Sequence, residues 1–138
     1  ASHIVCDFNK GVSQELDKKF RFISLCDNTA SLMAIANDFG YEHIFEYQLE
    51  GRLRPGDVLI AISGSGNSEN VLRAVQYAKE QNCTIIAMTG YNGGKLKPLA
   101  DCSIHVPIND MQKVEDVHMI ALHLMAQVLA KHFGHPMC

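Results

Sequence analysis

The apolar run Val58-Leu59-Ile60-Ala61-Ile62 ends in Ser63-Gly64-Ser65-Gly66-Asn67-Ser68, and an amphipathic helical pattern follows as far as Gln81. A strand that turns through glycines and hydroxyls into a helix leaves few architectures open. The N–H groups of the first helical turn and the positive end of the helix dipole point at one spot, which suits an anion. Glycines let the backbone approach closely, and serine hydroxyls add donors. A plain turn with one Ser or Asn as N-cap explains a single small polar residue. It does not explain three serines, an asparagine and two glycines in six positions. The third glycine of a dinucleotide loop and the Lys-Ser/Thr pair of a Walker loop are both missing, so a phosphate is expected and a nucleotide is not.

Apolar runs alternate with helical patterns along the rest of the chain, the signature of a parallel sheet covered by helices. Strands are expected at Arg21 to Cys26, Val58 to Ile62, Thr84 to Met88 and Ser103 to Val106. Helices are expected from Thr29 to about Asn37, Glu42 to Leu49, Ser68 to Gln81 and about Gln112 to Phe133, with one or two helical turns over Lys95 to Ala100. Gly134 and Pro136 supply stop signals for the last helix. In open sheets of this kind ligands bind beyond the carboxyl ends of the strands, the edge that carries Asp27-Asn28, Ser63 to Ser68 and Thr89-Gly90.

At 138 residues and 47% apolar content the chain fits one domain with a real core. A net charge of −3 provides no general attraction for nucleic acid or an acidic membrane surface. No apolar stretch is long enough to span a membrane, and no signal peptide is visible. Cys6, Cys26, Cys83, Cys102 and Cys138 include no Cys-x-x-Cys pair, and three lie in or beside apolar strand-like runs, where buried thiols are common. A reducing cytoplasm is the expected location. The chain starts at Ala1 rather than at methionine, and His3 to Phe8 reads as the middle of an element.

A second group of residues carries chemistry. His3 and Asp7 are four apart and share a face if helical. Glu115 and His123 are two turns apart on the last helix and fall within a quadrant of each other. His123 lies in the apolar stretch Met119 to Val128, where a charge is costly. Such a set could bind a divalent metal of the zinc type, or act as base and acid for moving protons on carbon. Each residue alone also has an ordinary structural reading, and spacing does not decide between them. His118 reads as structural or interfacial, and His43, His105, His132 and His135 as surface or terminal residues.

Ile62-Ser63-Gly64-Ser65-Gly66-Asn67-Ser68-Glu69-Asn70 resembles the phosphate loop of sugar isomerase (SIS) domains. Ala36-Asn37-Asp38-Phe39-Gly40, Pro55-Gly56-Asp57-Val58-Leu59, Met88-Thr89-Gly90-Tyr91-Asn92-Gly93-Gly94-Lys95 and Ala100-Asp101 are similar to the phosphoheptose isomerase branch. The resemblance implies an α-β-α, flavodoxin-like SIS domain over 1–138, without the N-terminal helix, first strand and Gly-rich loop of that family. It implies an enediol interconversion of sedoheptulose 7-phosphate and D-glycero-D-manno-heptose 7-phosphate, toward lipopolysaccharide precursors. Ser63, Gly64, Ser65, Asn67, Ser68 and Asp38 fall on its substrate positions, and Gly64 stands where threonine is frequent. Asp7 and His123 fall on its catalytic positions. His3, Asp7, Glu115 and His123 fall on its zinc positions, with Asp7 replacing glutamate and Glu115 replacing glutamine. A homotetramer is also implied. The alternative is a non-catalytic SIS module that binds sugar phosphates or a replication initiator; such relatives lose the catalytic histidine.

Overall fold

The computed structural model describes residues 1–134, so Pro136, His135 and Cys138 lie outside the described residues. The chain divides into two compact units, one of Thr29–His118 and one of Ala1–Asn28 with the chain from Met119 onward.

The Thr29–His118 unit is built on a parallel sheet in the order β1 (Val58–Ser63), β2 (Thr84–Thr89), β3 (Cys102–His105). The register sets Ser63 beside Thr89 and Thr89 beside His105, so three polar residues share the carboxyl edge. Thr29 to Phe39 forms helix α2, and the expected helix at Glu42 to Leu49 splits into a 3-10 turn, Tyr41–His43, and the short α3, Glu46–Leu49. Helix α4 (Glu69–Glu80) buries Val75 and Ala78 against Ala61, Ile85, Ala87 and Leu96, which forms the core on one sheet face. Odd-numbered strand residues therefore face α4, as the two-residue period of a strand requires. Cys83 belongs to this core, and burial pushes its thiol up. Among the described cysteines the expectation holds at Cys83, whereas Cys6, Cys26 and Cys102 are exposed.

In the other unit, helix α1 (Ser2–Cys6) runs directly into a π-helical turn, Asp7–Val12, whose wider winding brings Ser13 N–H to the Phe8 carbonyl at 3.1 Å. Ile4, Phe8 and Val12 make its buried stripe. Phe8 stacks on Phe22 with ring centroids 4.3 Å apart and meets Phe20 edge-on at 5.6 Å. The expected strand at Arg21 to Cys26 does not form; the segment is irregular and turns at Leu25. Both main-chain groups of Phe22 bond the Asn9 side chain, at 2.8 and 2.9 Å, instead of a strand partner.

Helix α5 spans Met111–His132. Every fourth residue from Val114 is buried, namely Val114, His118, Leu122, Ala126 and Ala130, and His118 donates from Nε2 to the Thr89 carbonyl at 3.1 Å. The structural reading of His118 is thus correct. The apolar stretch around His123 is otherwise open: Ile120 is 65% exposed, Leu124 57% and Val128 58%. His123 itself is half-exposed, so the apolar stretch does not enclose its imidazole. Apolar neighbours in sequence were on other faces of the helix.

Candidate functional site

The Ser63–Ser68 loop lies where the sequence places it, between β1 and α4. Ser68 occupies the N-cap position of α4, yet its hydroxyl makes no capping bond. Instead Ser68 Oγ is 3.1 Å from Ser63 Oγ, so capping does not account for these serines. Ser65 Oγ accepts the Asn67 N–H at 3.2 Å.

A second glycine loop, after β2, is hydrogen-bonded to the first. Gly90 N–H donates to the Gly64 carbonyl at 2.7 Å and Leu96 N–H to the Gly66 carbonyl at 2.9 Å. Lys95 N–H donates to Asn67 Oδ1 at 3.1 Å, and Asn67 Nδ2 donates to the Ser65 carbonyl at 3.1 Å. Of the Asn67 amide, expected among the phosphate contacts, the oxygen bridges the two loops and the nitrogen bonds back to its own loop. Gly66 has φ 67°, and a Cβ there would lie 2.1 Å from the Gly93 carbonyl oxygen. Only glycine fits.

Gly64 has a different neighbour. A Cβ at this position would lie 2.3 Å from Met111 Sδ, at the start of α5. Met111 therefore fills the space that a threonine side chain would need. We expect Gly64→Thr to lower the melting temperature and Gly64→Thr with Met111→Ala to recover most of the loss, measured by thermal unfolding. Equal melting temperatures for Gly64→Thr and the unaltered chain would show that Met111 moves away freely. Met111 escaped the sequence reading because nothing local links it to residue 64. Asp38, expected at the sugar site, is exposed near the end of α2 and accepts from Asn37 Nδ2 at 2.8 Å.

In the unit that contains α1, His3, Asp7 and His123 come together, their donor atoms all within 4.8 Å of one another. His3 Nε2 is 2.9 Å from His123 Nε2. Asp7 Oδ2 is 3.4 Å from His3 Nε2 and 3.7 Å from His123 Nε2, too long for hydrogen bonds. That oxygen is buried without a hydrogen-bond partner among the described residues. Ser2, next to His3, donates to the Asp27 carboxylate, and this hydroxyl, followed by that of Ser24, holds the Asp27 carboxyl below the usual range. Glu115, the fourth residue expected of the set, is exposed on α5 in the sheet unit.

The three donors suit zinc in kind, two imidazoles and a carboxylate. A point equidistant from the three atoms is about 2 Å from each, the length of a zinc–nitrogen or zinc–oxygen bond. An orphaned carboxylate oxygen aimed between two imidazole nitrogens is also what a bound cation would satisfy. The residues fit a metal of this type.

A parallel sheet whose first strand opens through a serine-glycine loop onto a helix N-terminus defines an α/β domain of the SIS class. The SIS domain profile matches residues 28–130, and the chain belongs to this family. It is similar to several phosphoheptose isomerases. The phosphoheptose isomerase of Helicobacter pylori (strain P12) is 42% identical over 113 residues, covering 82% of this chain and 59% of that protein. That of Rhodospirillum rubrum is 42% identical over 103 residues, covering 75% of this chain and 55% of that protein. The solved phosphoheptose isomerase GmhA from Neisseria gonorrhoeae superposes with a TM-score of 0.87 at 32% identity, covering 95% of this chain and 69% of that one. A phosphoheptose isomerase from Francisella tularensis gives 0.88 at 27% identity, with 95% and 70% covered. The chain spans less than two thirds of the length of the curated relatives it matches. The expected α/β fold with a parallel sheet is the one observed.

Proposed function

We propose that the protein is an aldose–ketose isomerase acting on a heptose phosphate, with residues 1–138 forming a single SIS domain. The observation that carries this reading is the convergence of His123 and Asp7, with His3 beside them, in a chain that also keeps the anion loop. In the non-catalytic alternative the histidine of that pair is expected to be lost, and His123 is present. The phosphoheptose isomerase relatives support the same substrate class.

The division of labour follows from the substrate's chemistry. In sedoheptulose 7-phosphate the phosphate and the carbonyl lie toward opposite ends of the sugar, so anchoring and proton transfer need separate groups. The Ser63 and Ser68 hydroxyls and the α4 N-terminus hold the phosphate dianion, with Ser65 also in the loop. Of Asp7 and His123, one removes the proton from the carbon next to the carbonyl, and the other carries a proton between the two oxygens. The electron pair left on carbon forms the carbon–carbon double bond of the enediol. Return of a proton to the former carbonyl carbon gives the aldose. A metal held by His3, Asp7 and His123, with Glu115 as a further ligand in this reading, would stabilise negative charge on the oxygens. Asp38 contributes to recognition of the sugar hydroxyls.

No helix among the described residues is long and apolar enough to cross a membrane. We place the enzyme in the cytoplasm, on a route to lipopolysaccharide precursors, without nucleic-acid partners. The exposed stripe of Ile120, Leu124 and Val128 supports a homo-oligomer, a tetramer in this reading. Full-length protein incubated with sedoheptulose 7-phosphate should yield an aldoheptose 7-phosphate, resolved by anion-exchange chromatography. Recovery of unchanged ketose, with the protein folded and supplied with zinc, would overturn the proposal.

A further inference from the structure

Thr89 ends β2 and is completely buried. Its carbonyl is used twice, by the Val106 N–H at 2.9 Å and by His118 Nε2 at 3.1 Å. Its hydroxyl is used by nothing: Thr89 Oγ1 is buried without a hydrogen-bond partner among the described residues. An unpaired buried hydroxyl is unfavourable, and a valine of the same shape would avoid the penalty.

The neighbour of that hydroxyl is informative. Thr89 is the register partner of Ser63, and paired positions on adjacent strands present their side chains on one face. Two and four residues earlier, Ala87 and Ile85 join the core formed with α4, so this is the α4 face. Ser63 is itself buried, and its hydroxyl is paired with that of Ser68.

Each serine hydroxyl has one proton to donate and two lone pairs. While Ser63 and Ser68 bond each other, one of the two protons is consumed between them. If both hydroxyls turn to an anion, that bond is lost and Ser63 Oγ keeps an unused lone pair in a buried place. Thr89 holds the unused proton on the same face. We propose that Thr89 is a positioning residue of the anion loop, whose hydroxyl donates to Ser63 Oγ when Ser63 and Ser68 both donate to a bound phosphate. The inference rests on the loop being a phosphate site. It explains why a buried position carries threonine, and it closes the hydrogen-bond count of the occupied loop.

Inorganic phosphate titrated into the full chain by calorimetry tests this, with thermal unfolding of each ligand-free variant. Thr89→Val should melt no lower than the unaltered chain and bind phosphate about three- to tenfold more weakly, the range for loss of one hydrogen bond. Thr89→Ser, which restores the hydroxyl and removes the methyl, should bring affinity back to within about twofold. Should Thr89→Val not fold, Thr89→Ala is read in its place. Unchanged affinity in the hydroxyl-free variant, with binding weakened in Ser68→Ala, would overturn the role of Thr89 and leave the phosphate site standing. Equal weakening in Thr89→Ser would likewise overturn it, because the methyl group would then be responsible. Unchanged affinity in Ser68→Ala, or no binding by the unaltered chain, would overturn the phosphate site itself.

Discussion

Replacing His123 with alanine in the full-length protein should lower turnover of sedoheptulose 7-phosphate by about 10²–10⁴-fold, the usual contribution of one positioned acid–base group. Stability should barely change. The imidazole is half-exposed and lies off the buried stripe of α5, and substitutions at such positions stay within about 0.5 kcal/mol. The two readouts separate chemistry from folding: turnover collapses while the melting temperature, compared without zinc, holds. Loss of the side chain also removes the 2.9 Å contact with His3 and one nitrogen from the group around Asp7 Oδ2. The same variant should therefore lose zinc affinity. Unchanged turnover in His123→Ala would remove this residue from the mechanism.

Gly66→Ala should have the largest effect of any single methyl group added to the anion loop. At φ 67° an alanine costs about 1–2 kcal/mol for the left-handed conformation alone. Its Cβ would also lie 2.1 Å from the Gly93 oxygen and 2.6 Å from the Gly93 carbonyl carbon, both main-chain atoms with little room to move. The loops must separate, and the bonds from Leu96 to Gly66 and from Lys95 to Asn67 open with them. We expect a melting temperature several degrees lower and no calorimetric phosphate binding. A variant that keeps both properties would show that the glycine-loop junction is unimportant.

Much of the sheet unit was legible because its signals are local. The run Val58 to Ile62, the polar loop and the amphipathic pattern to Gln81 appear as β1, the loop and α4, with boundaries shifted by a residue. The segment Arg21 to Cys26 has the apolar character of a strand, but a strand requires a partner. Here Asn9 takes both peptide groups of Phe22. The π-helical turn at Asp7–Val12 was not legible, since hydrophobic spacing of four fits Ile4, Phe8 and Val12 on an ordinary helix as well. His3 and Asp7 were paired from their spacing, as were Glu115 and His123, and the resemblance put the two pairs on one set of positions. The 2.9 Å approach of His3 to His123 joins residues 120 positions apart, a distance over which periodicity carries no information. Thr89 was placed on the ligand edge of the sheet but given no role, and Met111 went unnoticed, for a related reason. One matters through a bond it lacks, the other through a volume it fills.

The junction between the two glycine loops has a dynamic consequence. Main-chain bonds from Gly90 and Leu96 reach the carbonyls of Gly64 and Gly66. Exchange of those two amide hydrogens with solvent then requires the loops to part, and β2 and β3 restrain one of them from either side. Their opening free energy should track that of the strands rather than that of surface turns. In path the segment is a connection; in exchange it should behave as an extension of the sheet.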